Sequence, residues 1–325
     1  MSTYPKIIVV LGPTASGKSD LAVKIAKKLS ARGGSEIISA DSRQVYKGLD
    51  IGSGKVPRDK TNLWKSDFQN MEVGLPYIYK GIVHHLLDVA SPKNTFTVSQ
   101  YQKLAGKAIE EILKRGKIPI ICGGTGFYID ALIYDYKLPE VPPQPKLRKE
   151  LEKKSCEELF KQLKKLDLRR TKNIDKFNKR RLIRALEIVL ITQKPIPALF
   201  SSASINGSKK FQYNILFIGV KKSQEKLKKI IAKRLKKRLK NGMIEEIEKL
   251  HKQGVSWKKL ESLGLEYRWL ARYLQNKVNY AEMISLLQKD IEHYAKRQMT
   301  WFKKNKNINW IENYEQTKKL INNFL

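Results

Sequence analysis

The octapeptide Gly12-Pro13-Thr14-Ala15-Ser16-Gly17-Lys18-Ser19 carries the plainest chemistry in this chain. It fits G-x-x-x-x-G-K-[ST], in which backbone N–H groups and a helix N-terminus converge on anionic oxygens. In that arrangement Lys18 reaches a phosphate and the Ser19 hydroxyl sits on Mg²⁺. The loop binds a polyphosphate, whether a nucleotide such as ATP or another, and does not say which. Asp41 is a second candidate: its carboxylate could hold Mg²⁺ or take a proton. An aspartate capping the following turn reads equally well. Asp88 is another carboxylate of the same kind.

A third group lies in 221–240, which holds eleven basic residues and one acidic one. On a wheel of 100° per residue, Leu227, Ile230, Ile231 and Leu235 form an apolar stripe. Lys226, Lys229, Lys233, Lys236, Lys237 and Lys240 fall opposite and read as a solvated face. Arg234 and Arg238 stand three or four residues from stripe members and so point inward. An inward arginine needs an anion, because an unpaired buried charge is costly. A structural carboxylate would serve, and so would the phosphate.

The elements that must hold these groups are legible in outline. Residues 7–11 are an apolar, mostly β-branched run, a buried strand leading straight into the loop. A helical pattern follows from 19 to about 30. Residues 36–40 read as a second strand ending at Asp41, and ligands of open α/β sheets bind at such carboxyl ends. Gly52-Ser53-Gly54-Lys55 reads as a flexible loop with a solvated cation, and 56–80 is uninformative. His84 and His85 are adjacent on a short apolar segment and would point to opposite faces, so they read as hydrogen-bonded structural histidines. An amphipathic helix over 97–115 precedes a third strand, 118–122, which ends in Gly123-Gly124-Thr125-Gly126-Phe127-Tyr128. There the glycines let backbone or ligand approach closely.

A proline-rich hinge at 138–145 opens a charged helical stretch to about 193. A second break at Lys194-Pro195-Ile196-Pro197 leads into a polar Ser/Asn/Gly loop. The reading is an inserted helical subdomain over 139–205 within a core made of 1–138 and 206–325. A fourth strand covers 214–220. From Met243 onward the chain reads as helical, broken at Gly264-Leu265-Glu266-Tyr267-Arg268. In 294–304 cations alternate with aromatics, which suits stacking on RNA bases or packing into a core. The fold class is α/β, a P-loop parallel sheet flanked by helices.

The net charge of +34, from 65 basic and 31 acidic residues, suggests a polyanionic partner, nucleic acid ahead of membrane. Two cysteines without metal-ligand spacing argue against zinc and against a disulfide framework. With no signal-like segment or bilayer-length apolar run, a cytoplasmic protein is expected.

A P-loop alone suggests an ATP-dependent kinase of a small molecule or nucleoside, or an ATPase. Neither explains the basic helical insertion. The residues GPTASGKS, ADSRQVYKGLDIGSGK, HHLLDV, GGTGFYIDAL, RRLIRALEI, KRLKKRLKNGMIEEI, LGLEYR and RQMTWFKK, in this order, resemble the tRNA dimethylallyltransferase (tRNA isopentenyltransferase) family over nearly the whole chain. Two departures stand out. The family's Gly-Thr-x-Lys-Pro is here Gly52-Ser53-Gly54-Lys55-Val56, and its Asn-Asp-x-x-Arg is here Asn178-Lys179-Arg180-Arg181. The resemblance implies transfer of a dimethylallyl group from dimethylallyl diphosphate to the exocyclic amine of the adenosine 3′ of the anticodon. It implies Asp41 as general base and Thr125 near the transferred group, while the loop motif and the helical wheel put Lys18 and Arg238 on the same diphosphate. It also implies tRNA contacts at Asp41, Ser42, Arg43, Gln44, Thr125, Arg148, 177–181 (Asn178, Arg180 and Arg181 among them) and 261–266 with Gly264. The anticodon stem-loop would be the partner of a monomer. Related enzymes that prenylate free adenine nucleotides are the alternative, but a mononucleotide needs no such basic surface.

Overall fold

Ile7, Ile8, Val9 and Val10 have no exposed surface, and the strand they form is the middle of a layered sheet. A strand covered on both faces reads as a continuous apolar run rather than an alternating one. The structure is a computed structural model and describes residues 4–60, 77–197 and 213–325. Its strands are β1 (Lys6–Leu11), β2 (Ser35–Ala40), β3 (Tyr77–Tyr79), β4 (Ile82–His85), β5 (Ile118–Gly123), β6 (Asn214–Val220) and β7 (Ile308–Ile311). They pair in the order β3-β4-β2-β5-β1-β6-β7, and every neighbouring pair but β3–β4 is parallel.

Register brings the carboxyl ends level. Leu11 lies beside Gly123 on one side and Gly219 on the other, and Gly123 also lies beside Ala40. The loops that leave these strands therefore open on one edge of the sheet. One face is covered by the helix Lys18–Leu29 and the terminal helix Tyr314–Phe324. A second cluster joins the helix Gln224–Lys240, through Leu227, Ile231 and Leu235, to the helices that follow it.

Three expectations change. The chain after Met243 is not helical throughout: Ile308-Asn309-Trp310-Ile311 adds β7 beside β6. Four residues are too few to display a period, and only the neighbouring strand makes them one. Within 56–80, Tyr77–Tyr79 pairs antiparallel with β4, while 61–76 lies outside the described residues. Lys55 is not solvated but 8% exposed, with its ammonium on Asp50, Asp88 and the Tyr46 carbonyl. This pairing also occupies Asp88. Among the described residues no helix is long and apolar enough to cross a membrane.

The two histidines fill structural roles. His84 Nδ1 bonds the Ile82 carbonyl, and burial pushes its ring down to about 4, so it is neutral. His85 Nε2 meets Glu36, which also receives Arg115 (2.7 Å) and Lys117 (2.9 Å). Burial alone would raise the Glu36 carboxyl, but these three partners outweigh it and hold it near 2. A carboxyl depressed in the fold stabilises it above the ordinary carboxylate range and loses that effect as pH falls. We therefore expect Glu36→Gln to unfold more easily than the parent at neutral pH, by about 3 kcal/mol if the whole shift is expressed. That gap should close between pH 4.5 and 2. Denaturant melts across this range would show it, and a gap independent of pH would refute the ion cluster.

The chain separates into two compact units, Met1–Ile133 with Phe211–Leu325, and Tyr134–Lys210. The second is broader at both ends than the expected 139–205, and the Ser/Asn/Gly loop after residue 197 lies outside the described residues. Its helices Pro145–Glu152, Cys156–Leu166 and Lys179–Thr192 share a core of Leu151, Leu159, Leu163, Leu182 and Leu186. Beside that core Glu187 is wholly buried, held by Nε and Nη2 along one edge of the Arg148 guanidinium, each at 2.7 Å, by Arg184 and by the Gln144 amide.

Candidate active site

The phosphate loop leaves β1 at Leu11 and enters its helix through Gly17, whose φ of 92° lies where a side chain would be strained. Ala15 accepts a positive φ of 63°, a strain typical of ligand-holding turns. The Ser16 hydroxyl is buried without a hydrogen-bond partner. A buried orphan oxygen is costly and fits a ligand that completes it. Gly17 as N-cap makes no side-chain bond, so the first amides of the helix from Lys18 are free. Lys18 Nζ folds back to the Pro13 carbonyl at 3.3 Å. Burial depresses its pKa, and Arg234 and Arg238 depress it further, while Cys122 and Asp41 act the other way. Five groups from four segments thus share one electrostatic environment at the carboxyl edge of the sheet.

Asp41 follows β2. Its Oδ1 accepts the amides of Arg43 (2.8 Å) and Gln44 (3.3 Å), so the turn-capping role is real. Oδ2 has no partner among the described residues. The turn-capping reading of Asp41 therefore holds for Oδ1. Thr125 follows β5; its amide donates to the Ala40 carbonyl and its Oγ1 accepts the Ser42 amide at 3.0 Å. Burial, followed by the charge of Asp41, raises the Tyr294 phenol to about 12. Arg43 Nε donates to the Leu263 carbonyl at 2.6 Å, tying the 41–44 turn to the break at Gly264, where φ is 77°. Gln44 donates toward the carbonyls of Ser53 and Gly54 at 3.4 Å.

The wheel for Gln224–Lys240 is realised. Lys226, Lys229, Lys233, Lys236, Lys237 and Lys240 are exposed, and Arg234 and Arg238 are half-buried. The two arginines then diverge. Arg238 donates to Glu266 (3.0 Å) and to the Gly52 carbonyl (3.2 Å), so it takes the carboxylate partner rather than standing open to phosphate. Gly54 makes room for it: a Cβ there would lie 1.8 Å from the Arg238 guanidinium. Arg234 makes no hydrogen bond or ion pair with the described residues, and burial, then Arg238, lowers it to about 10. Glu266 is buried and raised by that burial, with Arg238 and Arg234 opposing. The described residues contain no cluster of His, Cys, Asp or Glu able to cage a metal.

The geometry can be set beside known proteins. The IPP transferase family model matches residues 44–305, and the isopentenyl transferase model matches residues 5–65. The chain is 42% identical to a tRNA dimethylallyltransferase of Treponema denticola over 309 residues, 94% of this chain and 95% of the other. The chain belongs to the tRNA dimethylallyltransferase family. A relative from Anoxybacillus flavithermus is 36% identical over 313 residues, 96% and 92% of the two chains. A solved tRNA delta(2)-isopentenylpyrophosphate transferase of Staphylococcus epidermidis is 32% identical, with a TM-score of 0.66 over 98% and 99% of the chains.

For this dimethylallyltransferase family member, the first unit brings together Lys18, Asp41 to Gln44, Thr125, Arg234, Arg238 and Gly264. The second unit carries Arg148, Asn178, Arg180 and Arg181. Two of these have internal duties. Arg148 uses its planar fork on Glu187, and Asn178 caps the helix Lys179–Thr192 by accepting the Arg181 amide at 3.2 Å. Arg180 and Arg181 are exposed, beside Phe177, which is 79% exposed. Sequence reasoning passed over Glu246, whose carboxylate accepts the amides of Asp50, Ile51 and Gly52 and the Tyr267 hydroxyl. It also passed over Gln298, which bonds both the phosphate loop and Gly124. The one local cue to Gln298 was its place four residues after Tyr294, on the same side of one helix.

Proposed function

We propose that this protein transfers the dimethylallyl group of dimethylallyl diphosphate to the exocyclic amine of the adenosine 3′ of the anticodon in tRNA, releasing diphosphate. The observation that carries this reading is the convergence of a phosphate loop, its lysine and an unpartnered inward arginine beside a carboxylate with one free oxygen. The diphosphate lies on the loop amides and Lys18, and Arg234 grips it from the helix above. Thr125 lies near the allyl group. As the carbon–oxygen bond breaks, negative charge grows on the diphosphate, and fixed cations stabilise that state more than the ground state. Asp41 Oδ2 takes the proton from the amine as the new bond forms. The amine's lone pair is delocalised into the ring, so removing its proton matters to the rate. The Ser19 hydroxyl would hold Mg²⁺, which when bound would supply further charge neutralisation at the phosphates. The base reaches these groups by leaving its stack, as bases do when enzymes act on them.

The partners in this reading are the tRNA anticodon stem-loop and dimethylallyl diphosphate, met by a monomer in the cytoplasm. An assay decides the class. Unmodified tRNA is incubated with the protein and dimethylallyl diphosphate, and in parallel with ATP. A prenyl mass added to tRNA only with the first supports transfer; a product only with ATP supports the kinase class. Prenylation of free adenine nucleotides in place of tRNA would favour the third class.

The RNA footprint takes a sharper form in the light of Arg148. Charge reversal there would unseat Glu187 and damage the second unit itself. The variant to make is Arg180→Glu with Arg181→Glu, two exposed positions. Its tRNA binding should weaken, and the slope of affinity against salt should fall by about one for each lost phosphate contact. Pyrophosphate binding should not change. An unaltered salt slope would remove these two residues from the footprint.

A further inference from the structure

Phe177 comes just before the cap of the helix Lys179–Thr192 and is 79% exposed, more than any other large apolar side chain among the described residues. A hydrophobic residue at this place, next to the capping Asn178, ordinarily folds back onto the fourth residue of the helix. Here that residue is Leu182, which has no exposed surface and packs with Leu151, Leu159, Leu163 and Leu186. Phe177 takes no part in that core. Its ring is turned out to water instead.

The backbone that presents the ring is pinned. The Phe177 amide donates to Asp175 Oδ1 at 3.1 Å, and the Asn178 amide donates to the Asp175 carbonyl at 3.1 Å. Cys156 Sγ donates to the Phe177 carbonyl at 3.7 Å. Between 172 and 181 stand Lys172, Lys176, Lys179, Arg180 and Arg181, with Asp175 the only acid. All of these cations but Lys179 are exposed, and the Lys176 ammonium lies 5.1 Å from the centroid of the ring. A lone apolar side chain in water needs no partner. A flat ring on a pinned turn among four exposed cations is a different object. Cations meet phosphates and a ring meets a base, the pairing by which single-stranded RNA is held. A paired base keeps its faces inside the helical stack, so only an unpaired one can lie on such a ring.

We propose that Phe177 is a stacking platform that takes an unpaired base of the bound tRNA, while the cations beside it hold the flanking phosphates. The proposal rests on the tRNA reading above and adds a ring to a footprint argued so far from charge. Equilibrium binding of unmodified tRNA to the full chain, at several salt concentrations, tests it. Phe177→Ala should weaken binding about 5- to 150-fold, the range for a stacked base that loses its aromatic partner. Stacking releases no counterions, so the slope of affinity against salt should stay that of the parent. Phe177→Tyr keeps the flat face and should bind like the parent. Phe177→Leu keeps apolar bulk without that face and should bind as weakly as Phe177→Ala. The ring lies outside the core, so all three variants should melt like the parent. A blunt RNA duplex, with every base paired, should bind the parent and Phe177→Ala alike. Parental tRNA affinity in Phe177→Ala or Phe177→Leu, a loss accompanied by a shallower salt slope, or an equal loss on the duplex would overturn the proposal. So would a dimer of the parent that Phe177→Ala splits at unchanged tRNA affinity, since the ring would then serve a second copy of the chain. Binding of tRNA that ignores the ring removes only this inference, whereas no tRNA binding by the parent removes the tRNA reading and this one with it.

Discussion

Asp41→Asn should lower the rate of prenyl transfer by about 10²–10⁴-fold, the range expected for a positioned general base. The substitution keeps the turn. An asparagine oxygen can still accept the amides of Arg43 and Gln44, the bonds that Asp41 Oδ1 accepts now. What it removes is basicity at the second oxygen, the one without a partner. Pyrophosphate and tRNA affinities should therefore stay near those of the parent, and single-turnover kinetics would separate rate from binding. Near-normal turnover would move the role elsewhere. Asp88 is a poor successor because Lys55 holds it. Glu266 is buried and close enough to Asp41 to feel its charge, but Arg238 holds it in the same way.

Arg234→Ala should cost about 10²–10³-fold in rate, comparable to the loss of one fixed donor from a site that stabilises developing charge. Arg238→Ala should behave differently. Its guanidinium already has Glu266 and the Gly52 carbonyl, so its loss leaves a buried carboxylate unpaired and loosens the 52–54 loop. The expected mark is a lower melting temperature with a smaller loss of rate. Lys236→Ala, on the exposed side of the same helix, should leave both quantities nearly unchanged. Equal rate losses for Arg234→Ala and Arg238→Ala at equal stability would mean that both guanidiniums meet the diphosphate in the complex. A normal rate for Arg234→Ala would take that residue out of the site.

What could be read before folding divides along a physical line. The phosphate loop is local: eight consecutive residues and the strand before them carry its chemistry, so it was legible, as was the position of Asp41 at a strand end. The facing of Arg234 and Arg238 was also local, since a helix wheel needs only its own sequence. Which of the two would be left open was not. That depended on Glu266, on a helix that the sequence does not join to them. Lys55 looked solvated because glycine and serine surround it in sequence, and only the return of Asp50, Asp88 and the Tyr46 carbonyl in space withdraws it from water. β7 escaped for a related reason, as a four-residue edge strand owes its conformation to the partner beside it. Gln298 stands within RQMTWFKK, but its two hydrogen bonds reach across 284 and 174 residues, and no spacing rule extends that far.

The centre of the sheet has a consequence for how the protein comes off the ribosome. β1 is synthesised well before its partners: Ile8 lies beside Ile120, and Ile7 beside Ile215. Thr14 waits longer still, for a glutamine 284 residues downstream. At roughly 5–20 residues per second, that wait is about 15–60 s. Until β5 is made, about 6–22 s after β1 at that rate, the apolar run at Ile7 to Val10 has no neighbour from its own sheet, a condition that invites chaperone binding or aggregation. Stalling or truncating translation before residue 298 would leave a nascent chain that displays the whole phosphate motif without its closing contact.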